Sequence, residues 1–183
     1  MTERLVEQAR RGDSAAFVAL IEERQAAMTR VAMAILGNRS DAEDALQEAL
    51  TALWRQLPRL REPHRFDAWA DRILVNACLL VLRRRRRRGV REIVATPGSP
   101  PAVEPAIADP ASLEESTVDR DAFRRAFETL SGDARALIVL RHLEDRSIPE
   151  IAAILGIPDG TVKSRLFTAR RALETALGLE EPA

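Results

Sequence analysis

Residues 147–173, SIPEIAAILGIPDGTVKSRLFTARRAL, restrict the fold more than any other stretch of the chain. Ser147, with Glu150 three residues later, is a capping-box pair, which starts a helix by satisfying its orphan amide groups. Ile148, Ile151, Ala152 and Leu155 recur at helical spacing and predict a buried face. Gly156 stands just past them, where a left-handed residue ends a helix. Pro158 fits at or just before the next helix start, and Asp159 suits the positive end of that helix's dipole. Val162, Leu166, Ala169 and Leu173 then predict a second core stripe. Thr161, Lys163, Ser164, Arg165, Thr168, Arg170 and Arg171 are left for a partner. Two short helices joined by a tight glycine turn form the unit that places a recognition helix in the DNA major groove. An ordinary helical hairpin with a solvated basic face is the competing reading. The residue types favour DNA. Hydroxyls beside guanidinium groups can reach base edges and phosphates, whereas a solvated face more often interleaves Glu with Lys or Arg.

Charge is segregated along the chain although it sums to zero, with 28 Lys and Arg against 28 Asp and Glu. Asp41, Glu43, Asp44 and Glu48 make the first part acidic. Residues 58–88 carry Arg59, Arg61, Arg65, Arg72 and Arg83 to Arg88 against only Glu62, Asp67 and Asp71. Residues 89–119 are acidic again. Such blocks say more about partners than the net value does. Lys163 is the only lysine and Cys78 the only cysteine, so no intrachain disulfide forms. Cys78 lies in an apolar helical run and is expected to be a buried structural thiol. Neither a signal peptide nor a long uncharged apolar stretch is present, so a cytoplasmic protein without membrane insertion is expected.

Helical periodicity dominates, and no strand pattern, internal repeat or phosphate loop is found. One helix is predicted over 14–36, opened near Asp13 or Ser14, stopped at Gly37, and burying Phe17, Leu20, Ile21, Met28, Val31, Ala32 and Ile35. A second opens at Ser40, with Glu43 completing a capping box, and buries Ala42, Ala45, Leu46, Ala49 and Leu53 up to about Leu57. After a basic loop from Pro58 to Pro63, a third runs from Phe66 to Arg87 with Phe66, Trp69, Ile73, Ala77 and Leu80 on one face. Five prolines in 89–119 and the loss of any period indicate an extended linker. Helices resume near Asp119 and again at about 133–143. The expected fold is all-α: an N-terminal helical domain (1–88), a Pro-rich linker (89–119) and a C-terminal helix-turn-helix domain (120–183).

Two further segments suit binding. The 41–57 helix has a polar stripe beside its apolar one, and as a docking helix it would offer Asp41, Asp44, Gln47, Glu48 and Arg55 around exposed Leu50 or Trp54. A solvated amphipathic helix explains the same pattern. In 66–88, six adjacent arginines repel one another unless an anionic partner relieves them, and a nucleic-acid strand would do so by counterion release. Phe66, Trp69 and Asn76 could meet unstacked bases, although Trp69 fits a core position equally well. His64 and His142 have no cysteine partners, so no zinc site, other metal site or nucleophile arrangement is expected, and neither a cofactor nor an enzymatic activity.

These three elements, in this order, resemble the extracytoplasmic-function group of bacterial RNA polymerase sigma factors over nearly the whole chain. DAEDALQEALTALWR resembles that family's segment for the polymerase β′ clamp. FDAWADRILVNACLLVLRRRRRR resembles its segment for recognising and melting the proximal promoter element, and the C-terminal stretch with GTVKSR resembles its distal-element domain. Departures occur at Leu80, where many members carry an acidic residue, and at Ala70 and Asp71, which replace an apolar–aromatic pair. The resemblance implies a sigma factor that binds core polymerase through the β′ clamp and β flap. It also implies binding to duplex and single-stranded promoter DNA, and an anti-sigma partner. Asp41, Asp44, Gln47, Glu48, Leu50 and Trp54 would meet polymerase. Arg65, Phe66, Trp69, Asn76, Arg83, Arg84, Arg86 and Arg87 would serve the proximal element and melting, and the cationic face of 161–171 the distal element. The alternative is a stand-alone helix-turn-helix regulator binding an operator.

Overall fold

A computed structural model of the chain describes the backbone of residues 2–95 and 116–179, with side chains over 2–87 and 121–179. Its eight described α-helices are α1 (Thr2–Arg10), α2 (Ser14–Leu36), α3 (Arg39–Gln56), α4 (Phe66–Ala95), α5 (Ser116–Thr129), α6 (Gly132–His142), α7 (Ile148–Leu155) and α8 (Asp159–Leu177). Two short 3-10 turns, Leu57–Arg59 and Pro63–Arg65, join α3 to α4, and no strand occurs among the described residues. The chain divides into two compact units, within Met1–Ala102 and Val103–Ala183.

In the first unit α2, α3 and α4 pack on one another and α1 closes over α2 and the 3-10 turns. Asp13 opens α2, its carboxylate accepting from the amides of Ala15 (2.9 Å) and Ala16 (3.1 Å), and Gly37 ends it at φ 78°. The start of α3 differs from the sequence expectation. Asn38, not Ser40, is the cap, and its side chain accepts from Asp41 N at 2.8 Å while its amide group donates to Asp41 Oδ2. The reciprocal pair begins two residues earlier because Gly37 turns the chain immediately before it. Helix α1 has too few apolar positions to stand out in the sequence, since only Val6 and Ala9 are buried.

Helix α3 presents Ala42, Ala45 and Ala49, all buried, above Leu53. Small side chains there allow α4 to approach closely. On α4 the expected stripe holds at Phe66 and Ala77 and fails at Trp69, Ile73 and Leu80. The buried apolar set is Phe66, Ala70, Leu74, Val75, Ala77, Cys78, Leu79 and Val81, whereas Trp69 and Ile73 are half-buried and Leu80 is 39 % exposed. The reason is a charge. Asp71, only 3 % exposed, points inward to Arg24 of α2, whose Nη2 donates to Oδ1 at 2.7 Å. Arg24 Nη1 also meets Asp67 at 2.6 Å. Apolar periodicity treats Asp71 as an outward position and so rotates the helix. Burial pushes the Cys78 thiol up to about 12, which makes it a packing residue.

Helix α4 also runs past its expected end at Arg87, to Ala95. Gly89 costs a helix only about 1 kcal/mol relative to alanine, too little to stop one of 30 residues. Helix α5 likewise begins at Ser116, inside the expected linker; residues 96–115 of that linker lie outside the described residues.

The second unit follows its local signals closely. Ser131 caps α6, accepting from Ala134 N at 3.2 Å. The capping box at Ser147 is complete: Glu150 Oε2 accepts from Ser147 N at 2.8 Å and Oγ at 2.6 Å, and Ser147 Oγ accepts from Glu150 N. Gly156 ends α7 at φ 67°. Leu137, Leu140, Ile151, Ile154, Val162, Leu166 and Ala169 form the core, and Phe127 and Leu173 pack at its edge. The expected α7 face is correct at Ile151 and Ala152, but Ile154 is buried and Leu155 only half-buried, because α7 packs against both α6 and α8.

Candidate nucleic-acid interface

Helix α8 separates its residues by face. Val162, Leu166 and Ala169 are buried, and Lys163, Ser164, Arg165, Thr168, Arg170 and Arg171 are exposed, with Thr161 half-buried at the helix start. The hydroxyl protons are already committed. Ser164 Oγ donates to Thr161 O and Thr168 Oγ1 to Ser164 O, both at 3.1 Å. Each hydroxyl therefore offers an oxygen lone pair outward and suits a base-edge amino group. Lys163 and Arg165 supply the donors that complement acceptor edges and phosphate.

Arg170 is held differently. Its Nη2 lies 3.1 Å from His142 Nε2 at the end of α6. A guanidinium only donates, so this contact requires a neutral imidazole with its lone pair on Nε2. Burial, followed by the charges of Arg170 and Arg141, lowers the His142 pKa, against an opposing effect of Asp145. The neutral ring thus ties α6 to α8 across the helix-turn-helix. Phe167, 65 % exposed among these cations, escaped the sequence reading of the face. Its signal was available, because it falls one residue outside the Val162–Leu166–Ala169 stripe.

In the first unit, Arg83, Arg84, Arg86 and Arg87 are exposed along α4, and Asn76 is exposed one face away from Cys78. Arg65 is exposed and its Nε meets Glu62 at 2.7 Å. Phe66 does not belong to this surface. It is 1 % exposed, the first core residue of α4, with its ring 6.0 Å from that of Trp69. The expectation that it meets unstacked bases is corrected. A phenyl ring at the entry of a helix packed on two others fills the core, and half-buried Trp69 is left as the aromatic edge near the basic loop.

On α3, Asp44, Gln47 and Glu48 are exposed, Asp41 and Leu50 are half-buried, and Trp54 is 38 % exposed with its ring 5.0 Å from Phe17. Beside Leu50 lies an apolar groove of about 400 Å³ between α2 and α3, lined by Phe17, Val18, Ile21, Met28 and Leu46. Sequence periodicity assigned Phe17, Ile21 and Leu46 to the core. They are half-buried walls of this groove, with Val18 exposed at its rim. Among the described residues no group of three or more His, Cys, Asp or Glu side chains converges as metal ligands do, and no helix is long and apolar enough to cross a membrane.

The comparisons accord with this division. The Sigma-70 region 2 model matches residues 20–88 and the Sigma-70 region 4 model residues 120–173. The chain is 34 % identical over 174 residues to the ECF RNA polymerase sigma-E factor of Escherichia coli K12, covering 93 % of this chain and 91 % of that protein. It is 34 % identical over 167 residues to the ECF RNA polymerase sigma factor SigM of Mycobacterium tuberculosis H37Rv, covering 91 % and 80 %. Among solved structures, the sigma factor RpoE of Bartonella quintana, in complex with the anti-sigma factor NepR, superposes with a TM-score of 0.68 at 28 % identity, covering 90 % of this chain and 98 % of that one. CnrH, in complex with the cytosolic domain of CnrY, shares the fold with a TM-score of 0.67 at 23 % identity over 98 % and 99 %. Two matched regions in sigma-factor order and relatives 34 % identical over most of both chains lead to one conclusion: the chain belongs to the extracytoplasmic-function group of RNA polymerase sigma factors.

Proposed function

We propose that the two units divide promoter recognition between them, within the transcription-initiation role of the family. The C-terminal unit reads duplex DNA at the distal element through Thr161, Lys163, Ser164, Arg165 and Thr168, with Arg170 and Arg171 gripping phosphate. Phe167 adds an apolar contact suited to a thymine methyl group. The N-terminal unit docks on the polymerase β′ clamp through Asp41, Asp44, Gln47, Glu48, Leu50 and Trp54, with the α2–α3 groove extending that surface. Its Arg65, Trp69, Asn76 and arginine run hold the strand displaced at the proximal element. The observation that carries this reading is α8: one buried apolar stripe opposite a continuous hydroxyl and cation face, on the second helix of a helix-turn-helix.

On this reading the protein is a cytoplasmic binding factor that catalyses no reaction itself. Melting draws on binding energy, and each contact can be weak because one polymerase-held scaffold presents both. An anti-sigma partner fits this reading, since the Bartonella quintana relative is paired with the anti-sigma factor NepR; one that covered the α3 face would block polymerase docking. The deciding experiment is transcription from a promoter library with purified core polymerase. Promoter-specific transcripts that require this chain are the expected result. Operator binding without polymerase-dependent initiation would overturn it. Within that assay, Lys163→Ala with Arg165→Ala is expected to abolish distal-element dependence, and unchanged promoter choice would remove α8 from the reading.

A further inference from the structure

The surface expected to meet polymerase and the surface expected to meet single-stranded DNA share their charges. Arg84 Nη1 of α4 is paired with Glu48 Oε1 of α3. One residue on, Arg85 Nη1 lies 3.6 Å from Asp41 Oδ2. Asp41 is itself fixed at the start of α3 by Asn38, whose Nδ2 donates to Oδ2 at 2.8 Å. The two contacts lie seven residues apart on α3, two turns, so they form one ionic seam along the α3–α4 packing line. Arg83, Arg86 and Arg87 are also exposed on this run, and Glu43, another carboxylate of the first turns of α3, is paired instead with Arg39 at 2.7 Å.

We propose that the α3 carboxylates and the phosphates of a single strand are alternative partners of Arg84 and Arg85. The N-terminal unit is then restrained in strand binding until polymerase engages Asp41 and Glu48. This rests on the proposed roles of α3 and of the arginine run, and adds a coupling between them. The restraint is small by construction. Arg84, Glu48 and Arg85 are close to half exposed and Asp41 about a quarter, and a pair exposed to that degree changes an equilibrium about two- to fivefold. That suits a competitor, which must yield to a strand bearing a phosphate at every nucleotide. Coupling is reciprocal. A strand that takes the arginines frees the carboxylates for polymerase, so each partner raises the affinity of the other by the same factor.

The test uses the full chain and a fluorescent single-stranded oligonucleotide of twelve thymidines, which offers phosphates without duplex or base code, at low salt. Asp41→Asn with Glu48→Gln is expected to tighten binding about fivefold. Glu43→Gln, which removes the same kind of charge from the same helix but leaves the seam intact, is expected to leave binding unchanged. Adding Arg84→Gln and Arg85→Gln to the carboxylate variant should weaken binding and abolish the gain. Circular dichroism of each variant establishes that the helices persist. If the carboxylate variant binds no tighter, or if Glu43→Gln tightens binding equally, the competition is overturned while arginine-dependent binding leaves the strand-binding role standing. Binding that is indifferent to Arg84 and Arg85 overturns both. Polymerase affinity in the presence of the same oligonucleotide gives a second readout. It should rise for the unmodified chain and not for the carboxylate variant, and an equal response in both would count against the seam.

Discussion

In the C-terminal unit the starts of α6 and α7 and the end of α7 are determined by adjacent residues: Ser131 opens α6, Ser147 and Glu150 open α7, and Gly156 closes it. In the N-terminal unit the register of the longest helix is determined 47 residues away, where Arg24 receives Asp71. The contrast separates two ways of specifying a helix. Capping chemistry is short-range and survives any tertiary context, because the orphan amide groups must be satisfied whatever the helix packs on. A buried ion pair is a tertiary contract, and neither partner reveals it alone. The two units can be perturbed separately, because both tryptophans, Trp54 and Trp69, lie in the first. Tryptophan fluorescence therefore reports the N-terminal unit, and circular dichroism reports both.

The largest expected effect tests whether Phe66 is core or surface. Phe66→Ala should cost about 3–5 kcal/mol, the usual range for emptying a buried phenyl site. Urea unfolding followed by tryptophan fluorescence measures it. A loss below about 1 kcal/mol would return Phe66 to the nucleic-acid surface and break the corrected register. Next comes the ion pair. Arg24→Leu should cost about 2–3 kcal/mol, because it removes a charged partner from a carboxylate that is almost wholly buried while exposed Asp67 rehydrates. Arg24→Met with Asp71→Leu should recover most of that loss, since replacing both charges by apolar groups is often close to neutral. A double variant no better than the single one would mean that Asp71 is held by more than Arg24.

Both results bear on how much could be read without a structure. The all-helical class, the capping box and the cation face of α8 were legible because each follows from spacing within a few residues. The α4 stripe was not. Its apolar residues are dense enough that Phe66, Trp69, Ile73, Ala77 and Leu80 make as plausible a face as the one actually buried, and Asp71 tips the choice the wrong way. The α2–α3 groove was hidden for a related reason: periodicity separates inside from outside but does not show where two helices leave a gap. Phe167 lies off the apolar stripe among charged neighbours, so periodicity gives it no role.

A smaller effect compares two candidate caps in one helix. Asn38→Ala should cost about 1 kcal/mol, since it removes the acceptor for Asp41 N, whereas Ser40→Ala should be nearly silent. The same fluorescence transition reads both. Equal losses would mean that α3 frays to a start at Ser40 and that the sequence expectation describes the populated helix end.

The smallest effect carries a pH signature and belongs to the C-terminal unit. Ser147→Ala should cost about 1 kcal/mol at neutral pH, visible in the dichroism melt and absent from the fluorescence transition. The side-chain and backbone bonds from Ser147, helped by the charge of Arg146, lower the Glu150 pKa. A carboxylate whose pKa is depressed on folding stabilises the fold at any pH above the ordinary glutamate value, and that contribution disappears as pH falls through the lowered value. The gap between the unmodified chain and Ser147→Ala should therefore be widest at neutral pH and narrow in acid. Glu150 is largely solvated, so the narrowing should be a fraction of the total, with the Ser147 Oγ bond to Glu150 N persisting after protonation. A gap that does not narrow in acid would show that Ser147 stabilises α7 without the Glu150 carboxylate.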